Sequence, residues 1–508
     1  MTTPALPLVS QDYFDDICVE NYELFSEDSY EAAVEETITQ LKGKSLRHIS
    51  LTHPDSENGP AIRRDISQVL FALESIKSEN ENAISLETLD GILGSSDTAS
   101  NRYLFHHIFV VNGGFGALGH AFDCQGCDGF LLDKILRILD DFPLNADKQF
   151  RSAFQAAIPS SMLASWIACF TATESVPRKR VLLSIAYKSI RRCEANKRLW
   201  MEQKNDPWSN ILVRHLNEGI GSMGPDEDFS MSPTIIICKI ITCLCTFDDF
   251  SEDSSDQQQY VQSLFRAGAV AALETGLEKS THTAIVDALR ALAIQDEVVQ
   301  SMGPVVDKAK QRFRDRCSCN AEGEDAMLTA LVGLFRNVSA NDDFKKQLGS
   351  DSLLLSTLQA TMQNNTSNPQ LQEHAIAWVA ALALRHPDNA DRLGSSSALV
   401  AAIVHAMERF PDRSSIQRQA ALAFRNIASR LRDDQVKCAL RSDVQGVLNN
   451  VAAKHMNCQD EVYAALRDLG LEVSSVHVER KGDSIQIRKG PLMFGQALQS
   501  NFRAEYDD

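Results

Sequence analysis

Long apolar runs are missing from this chain of 508 residues. The longest, Thr234 to Phe247, is interrupted by Lys239 and is shorter than the ~20 residues a membrane helix needs, so it reads as a buried helix. Positive charge is scarce: 50 Lys and Arg stand against 68 Asp and Glu, leaving a net charge of −18. A general nucleic-acid binder would carry a basic excess, and so would a protein that docks on anionic lipid; the balance disfavours both. The first ten residues have neither a basic n-region nor an apolar h-region. No signal peptide is expected, and the expected location is cytoplasmic and/or nuclear, not secreted. The 12 cysteines are then expected to be reduced thiols that pack as small hydrophobes.

Catalytic motifs are absent too. There is no His-Glu-x-x-His and no Gly-x-Ser-x-Gly. Gly43-Lys44-Ser45 mimics the end of a P-loop, but the upstream glycine falls at Ile38, so the nest of amides that holds phosphate cannot form. Gly114-Phe115-Gly116-Ala117-Leu118-Gly119 matches a dinucleotide fingerprint in letters. That site needs a strand before it and an acid at a second strand end; here Asp133 and Asp140 lie in a helical pattern, and the glycines fit a helix opener. Cys124 and Cys127 form a Cys-x-x-Cys without the second pair a zinc ribbon requires. Histidines 106, 107 and 120 are near in sequence, so a metal protein built on Cys124 and Cys127 stays open as an alternative. No catalytic residue, no metal ligand and no cofactor is assigned.

What is present is a repeat. Ala288-Leu289-Arg290-Ala291-Leu292, Leu334-Phe335-Arg336-Asn337-Val338, Val379-Ala380-Ala381-Leu382, Ala423-Phe424-Arg425-Asn426-Ile427 and Ala465-Leu466-Arg467-Asp468-Leu469 are copies of one segment. Their equivalent positions, 290, 336, 380, 425 and 467, are 46, 44, 45 and 42 residues apart. Armadillo and HEAT units repeat every ~40–47 residues. Segments beginning Gly268, Gly349 and Gly394 recur ahead of these copies, as glycines that end one helix before an amphipathic helix begins. Apolar residues between opener and closer recur at three and four. Weaker copies lie upstream at Leu136-Arg137, Ala186-Tyr187 and Ile240-Ile241, with insertions at Gly221–Pro233 and Asp248–Asp256 that read as solvated loops.

The Leu-Phe-Arg-Asn-Val and Ala-Phe-Arg-Asn-Ile segments resemble the third helix of the armadillo repeat family. Thr246-Phe247-Asp248-Asp249, Leu382 to Asn389, Ile416-Gln417-Arg418-Gln419-Ala420 and Ala464 to Gly470, with Phe14, Glu20-Asn21 and Phe25, resemble one branch of it. The resemblance implies an all-α, armadillo-type right-handed α-solenoid with a helical N-terminal region and a short irregular C-terminal tail, without catalysis. The expected divisions are a disordered 1–10, a helical 11–90 broken at Asp55–Pro60, a repeat array over 91–472, and a tail over 473–508. In that tail Val476-His477-Val478, a Gly482 turn and Ile485-Gln486-Ile487 suggest a weak hairpin, the alternative being disorder.

The third helices of such arrays line the concave face, the usual surface for partners. Arg290, Arg336, Asn337, Arg425, Asn426, Arg467 and Asp468 would form a ladder there, and Arg385 could join it. Arginine grips a carboxylate bidentately, and an Asn amide can bond the backbone of an extended chain. The expected function is a non-enzymatic scaffold that is monomeric alone and binds other proteins, such as acidic extended segments; an assembly adaptor is the alternative. The competing structural reading holds these arginines in ion pairs within or between helices. Nuclear import receptors carry Trp four residues before the Asn; Gly333 and Leu422 stand there, and the repeat of Trp378 has Ala381 in place of Asn, so basic signals are not expected as ligands.

Overall fold

The computed structural model describes residues 68–76, 82–95, 106, 109–110, 112–125, 130–141, 153–156, 160–202, 207–222, 232–246, 255–319, 325–471, 474–481 and 484–491. The expected break at Asp55–Pro60, the first ten residues and most of the acidic insertion at 248–256 lie outside them. The chain divides into two compact units, 1–203 and 204–508.

In the first unit the principal helices are α1 (Asn82–Ser95), α2 (Gly114–Gln125), α3 (Phe130–Asp141), α4 (Ser160–Ala172), α5 (Val176–Ile190) and α6 (Glu194–Met201). Helix α1 runs across residues 90 and 91. Helix α3 packs between α1 and α5. Their buried faces carry Leu86, Leu89, Leu93, Leu132, Ile135, Leu182 and Ile185. Ion pairs repeat with the spacing of the helices: Lys134 with Glu87 at 3.2 Å, Arg178 with Asp133 at 2.8 Å, Lys188 with Asp140 at 2.9 Å. The glycine run at 114–119 opens α2, and Phe109 and Val110 ahead of it are helical, so no strand leads into it. Gly114 is glycine for packing: a Cβ there would stand 2.5 Å from the Phe109 ring.

The second unit begins with α7 (Trp208–Ser222) and α8 (Pro233–Cys245). Three triplets follow: α9 (Ser255–Arg266), α10 (Ala269–Lys279) and α11 (Thr283–Leu292); α12 (Asp296–Gln300), α13 (Gly303–Cys319) and α14 (Asp325–Val338); α15 (Asp342–Ser350), α16 (Ser352–Asn364) and α17 (Pro369–Ala383). A fourth comprises α18 (Pro387–Ser395), α19 (Ser397–Arg409) and α20 (Ser414–Ala428), and the array closes with α21 (Asp434–Lys454) and α22 (Gln459–Asp468). The third helices α8, α11, α14, α17, α20 and α22 each pack on the next. The second helices α7, α10, α13, α16, α19 and α21 form a parallel layer. This is an all-α solenoid of three-helix units, as the period required. Beyond it, β1 (Ser474–Lys481) and β2 (Ser484–Pro491) form an antiparallel hairpin in which Ser474 faces Pro491 and Lys481 faces Ser484.

Helix α8 is the apolar run. Ser232 caps it by accepting from the Ile235 amide, and Pro233 occupies its first turn, where the missing N–H costs nothing. Its Ile235, Ile237, Ile240 and Ile241 are wholly buried, each worth about 1.5–3 kcal/mol of transfer free energy. Among the described residues no helix is long and apolar enough to cross a membrane.

The three repeat-opening glycines do different work. Gly268 turns the chain from α9 into α10 at φ 93°, a left-handed value natural only to glycine. Gly349 and Gly394 instead lie inside the last turns of α15 and α18. A Cβ on Gly394 would reach Leu431 at 2.9 Å, and one on Gly349 would overlap the Asn389 amide. Gly349 thus admits the next repeat and Gly394 the end of its own repeat's third helix, so of the three only Gly268 ends a helix by a left-handed conformation.

Candidate interaction face on the third helices

The third helices keep one face for the core and leave a narrow stripe open. On α11 Ile285, Val286, Ala288, Leu289 and Leu292 are buried, and Thr283, Asp287 and Arg290 are half-exposed. On α20 the stripe is Ser415, Arg418, Leu422, Arg425 and Asn426. The spacing of three and four that marked these segments as helices therefore also sets which side chains meet solvent.

The arginines on this face fall into separate groups. Arg290 Nη2 sits 3.1 Å from Asp287 Oδ1, one turn back on its own helix. Arg425 reaches across to Asp468 of α22 at 3.9 Å, and Arg467 holds the same carboxylate at 2.7 Å. That bond also holds the Arg467 guanidinium above its ordinary pKa. Arg336 is exposed and, among the described residues, makes no hydrogen bond or ion pair. Arg385 is exposed at φ 57° in the turn after α17, and its charge acts on Asp342 of α15. It stands at the edge of the array and not on a third helix.

The asparagines are already engaged. Asn337 Nδ2 donates to the Arg290 carbonyl at 3.0 Å, and Asn426 Nδ2 donates to the Ala380 carbonyl at 2.9 Å. The same bond thus recurs two repeats apart and ties each third helix to its predecessor. Where Ala381 replaces Asn, the link is made elsewhere: His374 Nδ1 lies 3.3 Å from the Thr329 carbonyl. A carbonyl only accepts, so Nδ1 carries the proton there.

Trp378 is buried and donates from its indole to Ser339 Oγ at 3.1 Å, while its ring stacks on Phe335 with centroids 4.9 Å apart. It is core, not groove. Gly333 stands at the position one turn before Asn337. A Cβ on it would lie 2.9 Å from Arg290 Cδ and 3.2 Å from His374 Nδ1, so the side chains of two flanking helices meet over its backbone. His374 and Asp287 are functional candidates that sequence reasoning missed. Burial pushes the Asp287 carboxyl up, against the pull of Arg290, His374 and His282. Burial likewise pushes His374 down, and the charges of Arg290 and Arg336 push the same way. A small residue on the groove floor, with basic residues one repeat away on each side, was the available signal.

A polar cleft of about 930 Å³ opens elsewhere in the second unit, lined by Asn210, Gln258, Gln262, Arg266 and Gln295 among others. Its amides bond one another: Gln262 Nε2 donates to Gln295 Oε1 at 2.7 Å, and Gln295 Nε2 to the Gln258 carbonyl at 2.7 Å. These bonds join α9 to Gln295, the residue just before α12. Of the Cys-x-x-Cys pair, Cys127 and the side chain of Cys124 lie outside the described residues, as do His107 and the side chain of His120. Among the described residues no group of three or more His, Cys, Asp or Glu is placed to hold a metal.

No family model matches the chain, and no curated protein matches it. Solved structures do. A structure described as showing a phosphorylation switch that controls the interaction between cadherin and beta-catenin, an armadillo protein, is similar over 91% of this chain and 81% of its own, with 14% identity and a TM-score of 0.55. An engineered protein is similar over 83% of this chain and 97% of its own, at 16% identity and a TM-score of 0.51. The fold is armadillo-like. Such an all-helical repeat fold is consistent with a protein-interaction scaffold.

Proposed function

We propose that this protein is a non-catalytic scaffold, working in the cytoplasm and/or nucleus, that holds an extended acidic segment of another protein along its third helices. Arg290, Arg336, Asn337, Arg425, Asn426 and Arg467 would contact that segment, with Arg385 at the rim. The observation that carries this reading is Arg336, an exposed guanidinium without an ion pair among the described residues, on a continuous ladder of helices in a chain of net charge −18. An unpaired arginine on an acidic protein is a local reversal of sign, and it retains its full bidentate capacity. The armadillo-like neighbour is described by an interaction with another protein, which fits this class of role. Within the armadillo family the segments around Leu382–Asn389 and Ala464–Gly470 favour a relative of armadillo repeat-containing protein 6.

The test is a pull-down from lysate at low and high salt, wild type against the Arg336→Glu, Arg425→Glu double variant, read by mass spectrometry. Arg336 lies on an open helix face, and Arg425→Glu also loses the part-exposed pair with Asp468 at 3.9 Å, worth at most about 1 kcal/mol, so the melting temperature should fall only slightly. Partners lost at high salt and in the variant are expected, because contacts between exposed charges are screened within about 10 Å at 0.1 M salt. A partner set indifferent to both would move the interface off this face.

A further inference from the structure

The face is not uniform along its length. Arg425 and Arg467 share Asp468, and Arg385 stands at the rim beside Asp342. Over Gly333 the arrangement differs. Arg290 comes from α11 and His374 from α17, and both side chains cross onto α14 because Gly333 offers no Cβ to stop them. Arg336 stands one turn further along α14 on the open side. Three basic groups from three successive third helices thus gather here: Arg290 Nη2 meets Asp287 at 3.1 Å, and the charges of Arg290, Arg336 and Glu373 all act on His374.

We propose that Arg290, Arg336 and His374 form a seat for one anionic side chain, a carboxylate or a phosphate, where Arg290 and His374 close over the buried Gly333. The proposal rests on the groove reading above and narrows it to one position. Two guanidiniums can each donate paired N–H bonds to an oxyanion, and Arg336 is exposed and Arg290 half-exposed, so an anion can reach them from solvent. His374 Nδ1 is turned to the Thr329 carbonyl, so in the neutral ring Nε2 is an acceptor. The charges around it are Asp287 and Arg290 of α11, Arg336 of α14 and Glu373 of its own helix; from α20, Ser415 reaches Glu373 at 2.6 Å. Burial first, and the charges of the two arginines, hold the His374 imidazole below its ordinary pKa, against the pull of the Thr329 carbonyl and Glu373. An arriving anion reverses that balance, and the ring takes up a proton and becomes a donor. Binding at this seat is therefore proton-linked and tightens as pH falls.

The experiment measures fluorescence anisotropy of a labelled peptide of alternating glutamate and alanine on the full chain. One arm replaces a glutamate with phosphoserine, and one carries glutamine throughout. Between about pH 7.5 and pH 6, wild type should bind the glutamate peptide roughly three- to tenfold more tightly at the lower pH, and His374→Gln should lose that gain. Gly333→Ala should bind the tighter of the two anionic peptides about tenfold more weakly, the scale of one charge-assisted bond, because its Cβ displaces Arg290 and His374. Alanine is the better helix former, but its Cβ presses on Arg290 Cδ and on the His374 ring that holds the Thr329 carbonyl, so the melting temperature should fall modestly while the helical circular dichroism is kept. Wild-type affinity that ignores pH, or Gly333→Ala affinity equal to wild type, overturns the seat. If Arg336→Glu weakens binding while Gly333→Ala and His374→Gln do not, the seat falls and the groove stands. If wild type binds the glutamate and glutamine peptides alike, both fall.

Discussion

Asn337 and Asn426 show how one residue type can serve the array and its surface at once. Each spends an amide hydrogen on a carbonyl of the preceding third helix, Arg290 in one case and Ala380 in the other. Replacing either with alanine should cost about 0.5–1.5 kcal/mol. The two sites are 89 residues apart and share no bond partner, so the double variant should lose the sum. Urea denaturation followed by far-ultraviolet circular dichroism checks this, and a double loss well below the sum would show that the bonds are not independent ties. Both asparagines were legible in the sequence as repeat markers. Their bonding was not, because the acceptor lies one repeat away and is a backbone oxygen that no residue letter records. Trp378 carries the same lesson. The letter alone left it open whether the ring faced solvent or core, and Ser339, just past α14, decides it by accepting from the indole.

At the scale of elements, α8 is the clearest case of a helix written into its own letters. Proline opens it, serine caps it, and the run of isoleucine demands burial on nearly every side. Its thiols follow from that burial. Cys238 is wholly enclosed and its pKa is pushed up to about 12 by loss of solvation, whereas Cys438 on α21 is exposed. Since the thiolate is the reactive form, a maleimide should label Cys438 quickly in the native protein and Cys238 only on unfolding. Mass spectrometry of peptides after a brief pulse reads the order, and native labelling of Cys238 would contradict the packing of α8. The opening glycines were legible as punctuation, but their reasons diverge. Gly268 is needed for its φ, Gly349 because Asn389 of the next repeat lies against it, and Gly394 because Ile427 and Leu431 at the end of its own repeat do.

The whole molecule is a pair of compact units, and the second is a stack in which each helix layer meets its neighbours in sequence. Stability in such arrays is a sum of local and nearest-neighbour terms, so unfolding need not be all-or-none. The four tryptophans are buried, Trp166 and Trp200 in the first unit and Trp208 and Trp378 in the second. Urea transitions followed by tryptophan fluorescence and by helical circular dichroism should therefore differ in midpoint. Coincident single transitions would mean that the chain folds as one cooperative body.

By itself the sequence determined the architecture: a period of 42 to 46 residues between equivalent positions, with apolar spacing of three and four inside it, leaves helices that can bury their faces only against copies of themselves. It also determined which residues recur on the third helices. The tertiary structure alone decided what those residues do. Arg425 is paired and Arg336 is not because Asp468 lies beside one and not the other, and Arg290 meets His374 because Gly333 lies between them. Those relations join groups 43 and 84 residues apart in the chain, and a periodic pattern names the positions without recording which neighbour each side chain meets.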